Sequence, residues 1–259
     1  MTSRGHWSAL GLPLLGAAGT ITVWWLVTIV FAIRPFFLPA PPDVLDAFRR
    51  EPAYLLEATW VTLWETLAGF AIAAGAGLVV ALLLAASPTI ERATLPMIVA
   101  FNAVPKVAVG PLLVLWMGYG PRPKIALVAL IAFFPVVVST MAGLTSTPAE
   151  LGELSRSLSA SRWQSYAKIR VPWALPQVFV GLKLAISLAV IGAVVAEIQS
   201  PNSGLGAVIV LTGQSADTPL AFAAIGLLAL LGISLFYLTA AAERLLLPWA
   251  REIASEGSP

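Results

Sequence analysis

Lys106, Lys183, Glu197 and Gln199 are the side chains whose type and setting could do chemistry, because each falls within or at the end of a long apolar run. A charge inside such a run is expensive to bury and is a candidate for function by default. Lys106 lies beside Asn102 and Pro105 near the middle of its run. Proline interrupts the helix ladder, and irregular backbone at membrane depth is tolerated only where it lines a cavity or packs on protein. A cation there suits an anionic or electron-rich solute. The plainer reading is that Lys106 pairs with a carboxylate such as Glu65, or reaches to an interface. Lys183 reads as structural and paired. Glu197 and Gln199 sit where either a gate or a solvated helix end fits. Trp116 offers a face for stacking a planar solute, but most of the nine tryptophans fall near run ends, as interfacial anchors do.

The usual catalytic constellations are missing. There is no cysteine, the single histidine is His6 in the N-terminal tail, and neither H-E-x-x-H nor G-x-S-x-G occurs. A Ser/Lys pair built on Lys106 or Lys183 leaves a membrane enzyme as a third-ranked reading. No G-x-x-x-x-G-K-[ST] run is present, so the chain cannot cradle ATP phosphates itself.

The elements that must position these residues are membrane helices. Of 259 residues 59% are apolar and only 11% charged, with a mean hydropathy of +0.90, against roughly 25% charged in soluble domains. Net charge is +2, which leaves no nucleic-acid footprint. Six segments reach the length of about 20 residues that a span needs: 12–33, 60–86, 93–117, 124–145, 174–198 and 220–247. The first exceeds the apolar region of a signal peptide, so a retained span is expected. One all-α polytopic domain over 1–259 follows. A short amphipathic helix is expected near Asp43 to Arg50, with Val44, Leu45 and Phe48 on one face.

With both termini cytoplasmic, the inside carries Arg4, Arg92, Arg156, Arg162, Lys168, Arg170, Arg244 and Arg251, and the outside Arg34, Arg49, Arg50, Arg122 and Lys124. That bias agrees with the positive-inside rule. Small residues recur every fourth position at Gly69, Ala73 and Gly77, and at Gly181, Ala185, Ala189 and Ala193. Such rows let helices approach closely, within the chain or across a dimer face.

The segment Glu153 to Pro172 is a basic, polar interruption bearing Arg156, Arg162, Lys168 and Arg170. Thr147-Pro148-Ala149-Glu150 and Ser161-Arg162-Trp163-Gln164 both have the form of a capping box. Leu151, Leu154 and Leu158 fall on one helical face, and Trp163, Tyr166 and Ala167 on a second. Two short helices meeting at Ser159-Ala160 are expected. They either lie on anionic lipid or dock a separate protein.

This segment resembles the "EAA" loop of ABC-importer permeases, whose pattern is Glu-Ala-Ala, three residues, Gly, nine residues, then Ile-x-Leu-Pro. Glu153 holds the first position, Ser159 the place of the Gly and Ile169 the Ile, and Val171-Pro172 stands for Leu-Pro. Phe37-Leu38-Pro39-Ala40-Pro41, Val104 to Leu112 running into Leu115-Trp116-Met117-Gly118, Lys124-Ile125, Leu175-Pro176, Gly181-Leu182-Lys183, Val195-Ala196-Glu197 and Ser203-Gly204-Leu205-Gly206 extend the likeness over residues 36–248. They are similar to the branch that includes nitrate, taurine and sulfonate importers and carriers of riboflavin or thiamine precursors.

The resemblance implies a type I ABC-importer permease fold of six helices in the bacterial inner membrane, working by alternating access. It implies a second permease subunit as a homodimer, membrane lipid, a cytoplasmic ABC ATPase dimer that binds the ATP and Mg, and an extracytoplasmic solute-binding protein. No cofactor is expected on this chain. Residues carried over to ATPase coupling are Glu153, Ser159, Ala160, Arg162, Ile169 and Pro172. Asn102, Lys106, Trp116, Glu197 and Gln199 are candidates for the solute pathway. A self-sufficient secondary transporter or channel is the competing reading, but neither an acid–base relay nor an internal repeat is evident.

Overall fold

A computed structural model describes the backbone of residues 5–85 and 88–249. Arg4 and Arg251 lie outside the described residues, as do the side chains of His6, Trp7, Arg156 and Arg162. The helices are α1 (Gly5–Val30), α2 (Pro41–Arg50), α3 (Pro52–Ala85), α4 (Pro88–Ala103), α5 (Gly110–Met117), α6 (Pro121–Thr145), α7 (Ala149–Ser157), α8 (Arg162–Ser165), α9 (Val171–Gln199), α10 (Leu205–Gln214) and α11 (Thr218–Leu246). A 3-10 turn, Lys106–Val109, precedes α5, and a single π-helical turn, Tyr166–Arg170, joins α8 to α9.

Four helices are long and apolar enough to cross a membrane: Pro52–Ala85, Pro121–Thr145, Trp163–Gln199 and Thr218–Leu246. The expected span 93–117 is a bent pair, Arg92–Ala103 and Lys106–Met117, meeting at 76°. Counting that pair as one span gives five. The expected first span appears as the shorter apolar helix Leu15–Val30, so the described helices do not reach six by length. The bend has a local cause: Pro105 has no N–H to continue the ladder and fixes its own φ at −63°.

α6 lies between α3 and α9 and packs along both. The small-residue rows explain how. A Cβ on Gly69 would overlap Val128, and one on Gly77 would come within 2.9 Å of Val136. Opposite, a Cβ on Gly181 would lie 3.0 Å from the Pro135 carbonyl. Ala73, Ala132, Ala185, Ala189 and Ala193 complete this core. Hydrocarbon offers no solvophobic drive for helix association, so van der Waals contact between closely approaching backbones holds the three together. Both rows therefore serve packing inside the chain.

α2 forms where amphipathicity predicts it, with the Ala40 N–H donating to the Asp43 carboxylate at 3.0 Å. Its buried residue is Ala47, set with Val44 and Phe48 against Leu220 and Ala224 of α11, while Leu45 is exposed. Arg50 reaches Asp217 at 3.3 Å. The helix is thus fixed to the bundle, not lying free on a surface.

Candidate functional site

Three groups of residues bear on function: the loop between α6 and α9, the break between α4 and α5, and a buried polar cluster at the far end of α9.

In the loop, α7 and α8 meet at Ser159, whose φ of +56° is left-handed. The Ala160 N–H donates to the Ser155 carbonyl at 3.0 Å, closing the end of α7. A non-glycine residue in this region is strained, and this is the position where the EAA pattern has Gly. The second capping box is present in both directions. Ser161 N–H donates to Gln164 Oε1 at 2.9 Å, and Gln164 N–H to Ser161 Oγ at 3.2 Å. The first differs from expectation: α7 begins at Ala149, and Thr147 Oγ1 donates back to the Leu144 carbonyl at 3.4 Å.

Leu154, Leu158 and Trp163 are 54%, 72% and 75% exposed, and Glu153 is exposed beside them. Ala160, Ile169 and Pro172 are half-buried, and Arg162 opens α8. Tyr166 donates its hydroxyl to the Leu82 carbonyl at 3.1 Å, tying the π turn to the end of α3. The π turn does not break the chain's course, because Trp163–Gln199 counts as one helix of 37 residues. At 1.5 Å per residue that is about 55 Å from loop to far end.

At the break, Lys106 Nζ donates to the Asn102 carbonyl at 3.3 Å and to the Asn102 side chain. It also stands 6.0 Å from the centre of the Phe134 ring. The expected pairing with Glu65 does not occur, since Glu65 is taken by Lys124. Among the described residues Lys106 has no carboxylate partner. Gln199 Nε2 donates to the Val107 carbonyl at 2.9 Å. A Cβ at position 110 would collide with the Gln199 amide, so only glycine admits this approach. Gln199 therefore supports the discontinuity from α9. Trp116 is exposed on α5, and no described contact brings it to Lys106. Lys183 pairs with Glu243 at 2.7 Å, as a structural lysine should.

Glu197 is a correction. Expected at a gate or a solvated helix end, it is 0% exposed. Its Oε1 accepts from Thr62 Oγ1 at 2.7 Å and its Oε2 from the Gly206 N–H at 2.7 Å. Thr62 Oγ1 in turn accepts from the Leu205 N–H at 2.9 Å. Lys124, counted as a loop charge from the sequence, is buried beside them and donates to the Ser203 carbonyl at 2.9 Å and hydroxyl at 3.1 Å. Glu65 Oε1 lies 3.4 Å from its ammonium. Gly204 has a φ of +96°, and the Glu197 carboxylate fills the place of its missing Cβ. The turn Ser203–Gly206 is thus gripped by α3, α6 and α9. Sequence reasoning missed Thr62, Glu65 and Lys124 as a group; the available signal was three polar residues near the starts of the apolar runs 60–86 and 124–145.

Comparisons agree with this architecture. Residues 73–247 match the family described as binding-protein-dependent transport system inner membrane component. The chain is 37% identical over 249 residues to the riboflavin transport system permease protein RibX of Chloroflexus aurantiacus, covering 95% of this chain and 92% of that one. It is 35% identical to the formylaminopyrimidine transport permease protein ThiX of Halalkalibacterium halodurans, covering 90% and 93%. It is 32% identical to the taurine transport system permease protein TauC of Escherichia coli, covering 90% and 87%. In fold it is similar to the inward-facing MetNI methionine ABC transporter, with a TM-score of 0.66, 21% identity, and 75% and 98% of the two chains covered. A multi-pass helical bundle, a capped loop continuous with a membrane helix and this match over most of its length lead to one conclusion: the chain belongs to the family of binding-protein-dependent transport system inner membrane components, the permeases of ABC importers.

Proposed function

We propose that this permease works as a homodimer, that its α7–α8 loop docks a cytoplasmic ABC ATPase, and that a solute-binding protein delivers a small solute to its opposite face. With α1 crossing as a sixth span, both termini are then cytoplasmic. ATP and Mg reside on the ATPase, whose closure moves the loop and alternates access to the central path. The observation that carries the reading is the loop itself. It presents Leu154, Leu158 and Trp163 uncovered at the start of a helix that runs on to Gln199. Exposed apolar side chains on two short helices are surface that a protein partner would cover.

Asn102, Lys106 and Trp116 belong to the solute path in this reading, because all three lie within the broken span Arg92–Met117. Glu197 is withdrawn from that path by its burial, and Gln199 serves it indirectly. The relatives named for riboflavin, a formylaminopyrimidine and taurine support a small electron-rich or anionic solute. Reconstitution with the ATPase and solute-binding protein tests this, with riboflavin, formylaminopyrimidine and taurine as the probes. ATP-dependent uptake of one of them is expected. No complex with an ATPase, or uptake that ignores ATP, would refute the reading.

A further inference from the structure

The α7–α8 loop encloses a cavity of about 510 Å³ against the ends of α3 and α6 and the π turn before α9. Leu154, Leu158 and Trp163, the apolar side chains offered to a partner, are not part of its lining, so this is a separate surface of the loop.

The polar lining consists of donors. Ser155 lines the cavity at only 4% exposure, and its hydroxyl has no hydrogen-bond partner among the described residues. A buried hydroxyl without a partner needs an explanation, and a ligand that accepts from it is one. Ser165, half-buried on the same wall, has an equally unpaired hydroxyl. Arg170 of the π turn also lines the cavity, and among the described residues no carboxylate pairs with it. Glu150 and Glu153 are exposed and stand outside the lining. Ala149 brings the start of α7, a helix of nine residues, to the cavity. The leading N–H groups of a helix lack partners inside it and carry the positive end of its dipole. The Thr147 hydroxyl donates to the Leu144 carbonyl.

We propose that this cavity binds a phosphate ester, its phosphate held by Arg170, the hydroxyls of Ser155 and Ser165, and the start of α7. A phosphate presents several acceptor oxygens, so donors from separate elements are met at once, and a planar guanidinium suits it in particular. Ala85, Pro148 and Ile169 supply apolar wall for the organic part of the ester. A phospholipid headgroup and a soluble phosphomonoester share this chemistry. The bound anion ties the start of α7 to the π turn. The site lies wholly within this chain, so its failure would leave the importer reading untouched.

The chain has no cysteine, so Ala149→Cys, at an exposed position on the cavity wall, supplies a single thiol. The purified full-length permease is labelled with an uncharged polar maleimide in neutral detergent at fixed ionic strength. Glycerol 3-phosphate or inorganic phosphate is added against chloride. A second arm uses phosphatidylcholine nanodiscs with and without phosphatidylglycerol. An occupied site that excludes the probe slows labelling about tenfold at about ten times the dissociation constant. Slowing by a soluble phosphate assigns the site to a phosphomonoester, and slowing by phosphatidylglycerol alone assigns it to a lipid headgroup. Arg170→Gln is expected to weaken the affinity about tenfold, as loss of a charge-assisted hydrogen bond does. Ser155→Ala with Ser165→Ala should weaken it too, and carries the test if Arg170→Gln does not fold. Lys168→Gln, which removes an exposed cation outside the lining, should leave protection intact. Absence of protection in both arms overturns the site. So does protection unchanged by Arg170→Gln, or lost equally in Lys168→Gln.

Discussion

Thr62 and Glu197 stand 135 residues apart in sequence and 2.7 Å apart in space, joined by a hydrogen bond that water does not reach. That bond connects α3 to the end of α9 and, through Leu205 N–H, to the start of α10. Replacing Glu197 by Ala removes the acceptor of two buried donors. Leaving a buried donor unsatisfied costs roughly 1–3 kcal/mol. A lower midpoint of thermal unfolding in detergent is expected for Glu197→Ala, with a smaller drop for Glu197→Gln, which keeps an acceptor oxygen.

Lys124 and Glu65 form an ion pair only 2% exposed on each side. Removing one partner of such a pair typically costs about 3–5 kcal/mol, whereas replacing both by apolar residues is often neutral. Lys124→Met should therefore be poorly folded, measured as the monodisperse fraction after extraction. The double variant Lys124→Met with Glu65→Leu should recover much of the loss. No recovery would mean that the bonds from Lys124 to Ser203 matter more than the charge pair.

Ser159 holds a left-handed backbone, which costs an L-residue roughly 1–2 kcal/mol relative to glycine. Ser159→Gly is expected to preserve ATP-driven uptake, and Ser159→Val to uncouple ATP hydrolysis from uptake by distorting the α7–α8 corner. Equal coupling in both variants would show that the corner does not transmit force.

Gly204 and Gly75 offer a paired comparison. A Cβ at position 204 meets the Glu197 carboxylate on a backbone with φ +96°, whereas one at 75 meets nothing within 4 Å. Gly204→Ala should lower thermal stability clearly and Gly75→Ala should leave it unchanged. Circular-dichroism melts of the purified permease would separate them.

Lys106→Ala is expected to abolish or sharply reduce uptake of the cognate solute while leaving complex assembly intact. Wild-type uptake by that variant would remove Lys106 from the path and reduce it to a cap on the Asn102 carbonyl.

The loop was legible in the sequence because its signals are local. The Ser161–Gln164 box and the turn at Ser159 each need only neighbouring residues to form. The packing rows at Gly69 and Gly181 were legible as rows, but their target, α6, was not, since nothing in a row of small residues says which helix it meets. The cluster around Glu197 was misread because an acid at the end of an apolar run looks the same from sequence whether water or Thr62 receives it. The burial of Lys124 had no local sign for the same reason. The 76° bend was signalled by Pro105, while its support from Gln199, 92 residues away, had no local sign.

The way α6 is gripped also bears on where the bundle accepts added volume. Two of its sides are fixed by contacts with α3 and α9 that tolerate almost no added volume. Its remaining side borders an open apolar groove of about 610 Å³, with Ala126, Ala129 and Leu130 among its lining. Across that groove stand Ile72 and Ala76 of α3 and Met117 of α5, with space left between them and α6. Added volume on that strip therefore disturbs the arrangement of α3, α6 and α9 less than the same volume placed at Gly69, Gly77 or Gly181.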